Sequence, residues 1–184
     1  MSGASEHETH GEPRPARVVR ALRRVGGWLV RLPRALGVVL ACAWMATNHW
    51  LSSGVRGPAG DSLVWSYLSN LFHAPLYGLL ALWWVVALPR RDEPFRWARL
   101  GARQMVGVWL AVLAWGVLDE LHQSRVPGRD ASVADLVTDG SAAAAVLVVA
   151  AFLGRPGADA SGTWKRLALG LAACLIAAAV ATEL

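Results

Sequence analysis

The sequence predicts an all-α, polytopic membrane protein, a helix bundle with about five transmembrane helices. Three observations carry this. Charged residues fill only 17% of the 184 positions and apolar ones 55%, whereas an ordinary soluble domain is about 25% charged. The apolar residues gather into runs near the roughly 17–25 residues that cross a hydrocarbon core. None of the runs shows the alternation of a strand, and a helix satisfies its own backbone hydrogen bonds, as lipid demands.

Residues 1–13 are polar and read as a disordered tail. Residues 14–34 hold seven arginines among Val, Leu and Trp. Arg17, Arg20, Arg23, Arg24 and Arg31 recur at helical spacing, as in a basic amphipathic juxtamembrane helix on an anionic surface. The stretch also resembles the basic region of a signal peptide. It is long, however, and no small-x-small cleavage site follows, so an uncleaved first helix is expected.

Five apolar segments follow, at 35–51, 71–88, 104–121, 133–153 and 164–181. If they alternate in direction, fifteen of the eighteen Lys and Arg residues fall on one side. By the positive-inside rule that side is cytoplasmic. The N-terminus is then inside and the C-terminus outside, with residues 154–184 forming a cytoplasmic loop and the fifth span. This placement also accounts for the net charge of +5 and the isoelectric point of about 10.2. No nucleic-acid motif accompanies the charge, so no nucleic-acid partner is expected.

Trp28, Trp50, Trp65, Trp83, Trp84, Trp97, Trp109, Trp115 and Trp164 mostly lie near span ends, as an interfacial aromatic belt would. Cys42 and Cys174 sit inside apolar runs and read as packing residues. The alanines at 142–145 and 177–179 allow close helix approach.

The chemistry concentrates in residues 119–139, DELHQSRVPGRDASVADLVTD, on the expected outer face. Pro127 and Gly128 make a turn. Ser132 is placed to cap the next helix, with Asp135 completing a capping box. Asp135 and Asp139 are four apart and share a helical face. Asp139 lies inside an apolar run, where an ionisable group is by default a functional candidate. Glu120 and Gln123 share a face, as do His73 and Tyr77 on the second span. His122 faces away from Glu120. One polar pocket is therefore expected from Glu120, Gln123, Arg129, Asp135, Asp139, His73 and Tyr77.

Plainer roles stand beside these. Asp119 can be an interfacial charge and Asp135 only a cap. Arg129 can bind lipid phosphate or Asp130. His73 and Tyr77 can simply bond helix to helix. DELHQ lacks the second His of HExxH, and no GxSxG, Walker A or GxGxxG motif occurs. A metal could be assembled from His73, Glu120, Asp135 and Asp139, but spacing alone does not argue for one. Neither a metal nor a cofactor is assigned.

At these residues the sequence resembles the VanZ-like family of small bacterial membrane proteins. The matching features are Asp119-Glu120-x-x-Gln123, then Pro127-Gly128-Arg129, then Asp135, with His73 and Tyr77 before them. The resemblance covers roughly residues 35–153, a four-span membrane domain. It departs at Asn70, where the family usually has Lys, and at Asp139, where it usually has Asn. Both changes make the pocket more acidic. The family is named for a protein giving low-level teicoplanin resistance, so the resemblance implies a cell-envelope role at the outer face rather than a defined reaction.

Three functions are in play. The first is binding of a membrane lipid or lipid-linked cell-wall precursor, with Arg129 on an anionic head group and Gln123, Asp119, Asp139 and Tyr77 making polar contacts. The second is a membrane-embedded hydrolase or transferase with Glu120 or Asp135 as general base, His73 polarising it and Arg129 holding developing charge. The third is a small transporter or proton relay through Asp139 and His73.

Overall fold

The computed structural model describes residues 17–54, 63–90, 97–127 and 132–183. The polar tail at 1–13 and Arg129 lie outside the described residues. Six helices follow one another: α1 Arg17–Leu29, α2 Arg34–Ser52, α3 Leu63–Ala87, α4 Ala102–Gln123, α5 Asp135–Leu153 and α6 Ala160–Glu183. No strand occurs among the described residues, only an isolated bridge between Arg90 and Ala98.

Helices α3 to α6 are each long and apolar enough to cross a membrane. The pair α1 and α2 meets the same test together, bent by 94° at residues 30–33. The count is thus four spans, or five with that pair, and a multi-pass membrane protein is the class this architecture defines. Pro33 precedes α2 in an extended conformation, φ −54° and ψ 139°. Proline is tolerated there because the first N–H of a helix has no intrahelical partner.

Helix α5 is packed against α3, α4 and α6, and α2 joins through α3 and α4. Small residues allow this. Ala142, Ala143, Ala150, Ala177, Ala178 and Ala181 are all buried, and close van der Waals approach is what holds helices together in lipid. The outward faces are apolar instead. Val106, Leu110, Val117 and Leu121 on α4, and Leu169, Leu171, Ile176 and Val180 on α6, are exposed. In water such faces would be a liability; in hydrocarbon they are the expected surface.

Several expectations change. The second span begins earlier than expected, because α3 runs from Leu63 and its polar residues Ser66, Ser69 and Asn70 are helical. Cys42 is exposed on the outside of α2, and only Cys174 packs inside. Trp97 is buried rather than interfacial; its indole N–H donates to the Ala150 carbonyl at 2.8 Å. Trp109 likewise donates to Gly140 at 2.9 Å. Arg23 turns away from the basic face of α1 and donates from Nε to the Leu153 carbonyl at 3.0 Å.

Helix direction alternates, and this gives the bundle two chemically distinct ends. Helices α2 and α4 finish where α3 and α5 start. The polar candidates lie at that end. The arginines 23, 34 and 90 lie at the other.

Candidate functional site: a buried acidic cluster beside an amphipathic cavity

Adjacent residues on a helix point about 100° apart, and this splits Asp119 from Glu120. Asp119 turns toward α2 and α3. Its Oδ1 accepts from the Ser52 hydroxyl at 2.6 Å. Its Oδ2 accepts from Tyr77 at 3.3 Å and from the Gln123 amide, one turn along α4, at 3.0 Å. With only 4% of its surface exposed, Asp119 is not the interfacial charge that the sequence allowed. Donors from α2, α3 and α4 converge on this one carboxyl group, so it ties the three helices together.

Glu120 turns toward α5. Its Oε2 accepts from the Ser132 backbone N–H at 2.8 Å. That contact corrects the capping-box expectation, since Ser132 gives its N–H to Glu120 rather than to Asp135. Helix α5 starts at Asp135 with Ala134 as its N-cap residue and no side-chain cap. The Ser132 hydroxyl instead accepts from the Ala134 N–H at 3.2 Å.

Asp135 and Asp139 share the buried face of α5, 5% and 0% exposed. Asp139 Oδ1 meets His73 Nδ1 at 3.1 Å, the one ion pair found among the described residues. A carboxylate accepts, so the imidazole donates from Nδ1. The His73 ring lies parallel to that of Tyr77, with 3° between planes and centroids 5.8 Å apart. Four residues of helix separate the two rings, which fixes the stacking. Ligating atoms of His73, Glu120 and Asp135 all fall within 4.8 Å of one another.

Asp139 Oδ2 and Glu120 Oε1 are buried and have no hydrogen-bond partner among the described residues. Such atoms are costly in a low-dielectric interior unless something else meets them.

A cavity of about 410 Å³ opens beside this cluster, between α2, α3 and α4. Its polar part is Asn48, Ser52, Ser69, His73, Tyr77, Asp119 and Gln123; its apolar part includes Leu51, Trp65, Leu68 and Phe72. Glu120, Asp135 and Asp139 do not line it, so His73 is the residue shared by cavity and cluster. Asn48 is 2% exposed, and neither its amide nitrogen nor its oxygen has a partner among the described residues.

The structure thus gathers His73, Tyr77, Asp119, Glu120, Gln123, Asp135 and Asp139. Sequence reasoning missed Asn48 and Ser52. Their signal was present, two polar residues four apart near the end of an apolar run. His122 stays outside the cluster: its Nε2 lies 2.9 Å from the Ser53 hydroxyl, and its ring centroid 4.0 Å from that of His49. Asn70 donates to Thr182 of α6 at 3.2 Å.

Comparison with protein-family models, curated proteins and solved structures finds no match to this chain.

Proposed function

We propose that this chain is a multi-pass protein of the bacterial cytoplasmic membrane that binds a lipid or lipid-linked cell-wall group at its outer face. The observation that carries the reading is the cavity between α2, α3 and α4, polar at one part and lined by Leu68, Phe72 and Trp65 at the other. An amphiphile matches such a lining: its chain meets the apolar wall and its head group meets Asn48, Gln123 and His73. The amide of Asn48, without a partner among the described residues, offers one donor pair and one acceptor to that head group.

The orientation follows from charge. The arginine-rich end is cytoplasmic by the positive-inside rule, so the acidic end and the cavity face outward. The resemblance of residues 119–135 to the VanZ-like pattern supports the narrower form of the proposal, a contribution to teicoplanin tolerance through access to cell-wall precursors.

The test is direct. Protein purified in mild detergent is expected to carry a co-extracted lipid, seen by mass spectrometry, and Asn48→Leu is expected to carry much less. Equal lipid in both proteins would remove the binding claim. Teicoplanin susceptibility of a deletion strain and of Arg129→Ala cells tests the narrower form, which fails if neither changes.

A second reading is supported by Glu120. A buried carboxylate oxygen without a hydrogen-bond partner among the described residues, close to His73, is placed as a general base should be. Product release from native lipids by purified protein, lost in Glu120→Gln, is the expected sign of a hydrolase or transferase.

A further inference from the structure

We infer that His73, Glu120 and Asp135 form a binding site for a first-row divalent metal ion, with Asp139 orienting the histidine. The geometry carries this. One atom from each of the three residues lies within 4.8 Å of the others. Ligands at about 2.0–2.2 Å from an ion in tetrahedral geometry stand about 3.3–3.6 Å from one another. The widest pair therefore has to draw in by at most about 1.5 Å, within the reach of side-chain rotations.

The histidine is set up for the task. Its Nδ1–H donates to Asp139 at 3.1 Å. With Nδ1 so held, Nε2 is the nitrogen that would bind a metal, giving up any proton it carries as the ion enters, the arrangement in which a carboxylate holds the far nitrogen of a metal-bound imidazole. Tyr77 stacks against the ring and restricts its rotation. Glu120 is prepared in the same way. The Ser132 N–H holds one of its oxygens, while the other is buried without a hydrogen-bond partner among the described residues.

Burial points the same way. Glu120, Asp135 and Asp139 are each more than nine-tenths buried, and Glu120 Oε1 has no hydrogen-bond partner among the described residues. A buried acceptor left unmet is costly, and a divalent ion held by Glu120 meets it.

The donor set selects the class of ion. One imidazole and two carboxylates suit zinc or manganese, whereas an all-oxygen set would favour magnesium or calcium. Three protein ligands leave a coordination position open, as in sites that bind water or substrate. His73 also lines the cavity, so that open position is near whatever the cavity holds. The site stands whether or not the cavity binds a lipid.

The experiment uses the full, untagged chain in detergent, stripped with a chelator, given Zn²⁺ and desalted. Metal is counted by mass spectrometry, and thermal unfolding is followed in parallel. About one ion per chain is expected to remain, with a raised melting temperature. His73→Gln and Glu120→Gln are each expected to lower retention at least tenfold; His122→Ala is expected to leave it unchanged. A folded, monodisperse wild-type sample that retains no Zn²⁺ overturns the inference without recourse to any variant. Full retention in both site variants also overturns it, and assigns the ion to histidines elsewhere in the chain. Lipid content measured on the same samples separates failure of this site from failure of the cavity reading.

Discussion

The two ends of the bundle hold their charges by different means. At the basic end the partners are backbone carbonyls. Arg34 donates to Ala87 at the end of α3. Arg90 donates to Val30, Leu88 and Leu32 at 2.7, 2.6 and 3.1 Å. Arg23 donates to Leu153, Arg155 and Pro156 beyond α5. The last carbonyls of a helix lack intrahelical partners and carry partial negative charge, so a cation there meets two needs at once. Burial, and then the neighbouring Arg34, pull the Arg90 guanidinium below its ordinary pKa. At the acidic end the partners are mostly side chains from other helices: Ser52, Tyr77 and His73. Backbone caps are distributed and individually weak. Side-chain networks are concentrated, and removal of one member strands the rest.

The largest expected effect is therefore at the acidic end. His73→Leu leaves the fully buried Asp139 carboxylate without its ion-pair partner. Breaking a buried pair by removing one member costs about 3–5 kcal/mol. Reversible unfolding of metal-free protein in mixed micelles is expected to show a loss of this order. Adding Asp139→Leu to that variant is expected to recover most of it. If the double variant is no more stable than His73→Leu, the cost comes from packing and not from a stranded charge.

A single added methyl group compares the ends more closely. At Gly37, on α2 at the basic end, a Cβ would lie 2.6 Å from the Ala87 nitrogen and 2.8 Å from the Val86 carbonyl carbon. Those are backbone atoms of α3 and cannot move alone. At Gly116, on α4, it would lie 2.9 Å from Asp139 Oδ2 and from Leu136 Cδ2, which are side-chain ends. Overpacking costs roughly 1–3 kcal/mol. Gly37→Ala is expected near the top of that range and Gly116→Ala near the bottom, by the same unfolding measurement. Gly116→Ala has a second expected effect, because Asp139 must turn away from α4: weaker Zn²⁺ retention through loss of its hold on His73.

The contrast also explains what could be read from the sequence. Run length and loop charge displayed the bundle and its two ends, because lipid imposes them on every residue of a span. The DELHQ segment and the pair Asp135 and Asp139 displayed most of the acidic cluster. The division of labour between Asp119 and Glu120 was hidden, since it depends on which helix faces each side of α4. Asn48 and Ser52 were hidden for a similar reason: polar residues near a span end are ordinary until another helix is placed against them. Trp97 looked like an interfacial residue, and only the position of Ala150 makes it a buried donor. Arg23 looked like part of a membrane-facing stripe, and only the end of α5 makes it a cap.

The smallest expected effects belong to those caps. A cation at a helix C-terminus contributes about 0.3–1 kcal/mol when exposed and up to about 2 when partly buried. Arg34 is exposed, whereas Arg23 is half-buried and reaches three carbonyls. Arg34→Ala is expected to cost a few tenths of a kcal/mol and Arg23→Ala about 1 kcal/mol. Arg23→Lys separates charge from geometry, because an ammonium keeps the charge and loses the planar fork that spans several carbonyls. If the fork matters, Lys recovers less than half of the loss to Ala. Full recovery by Lys would make the basic end a matter of charge alone, and its contrast with the acidic end would then lie in burial rather than in the kind of partner.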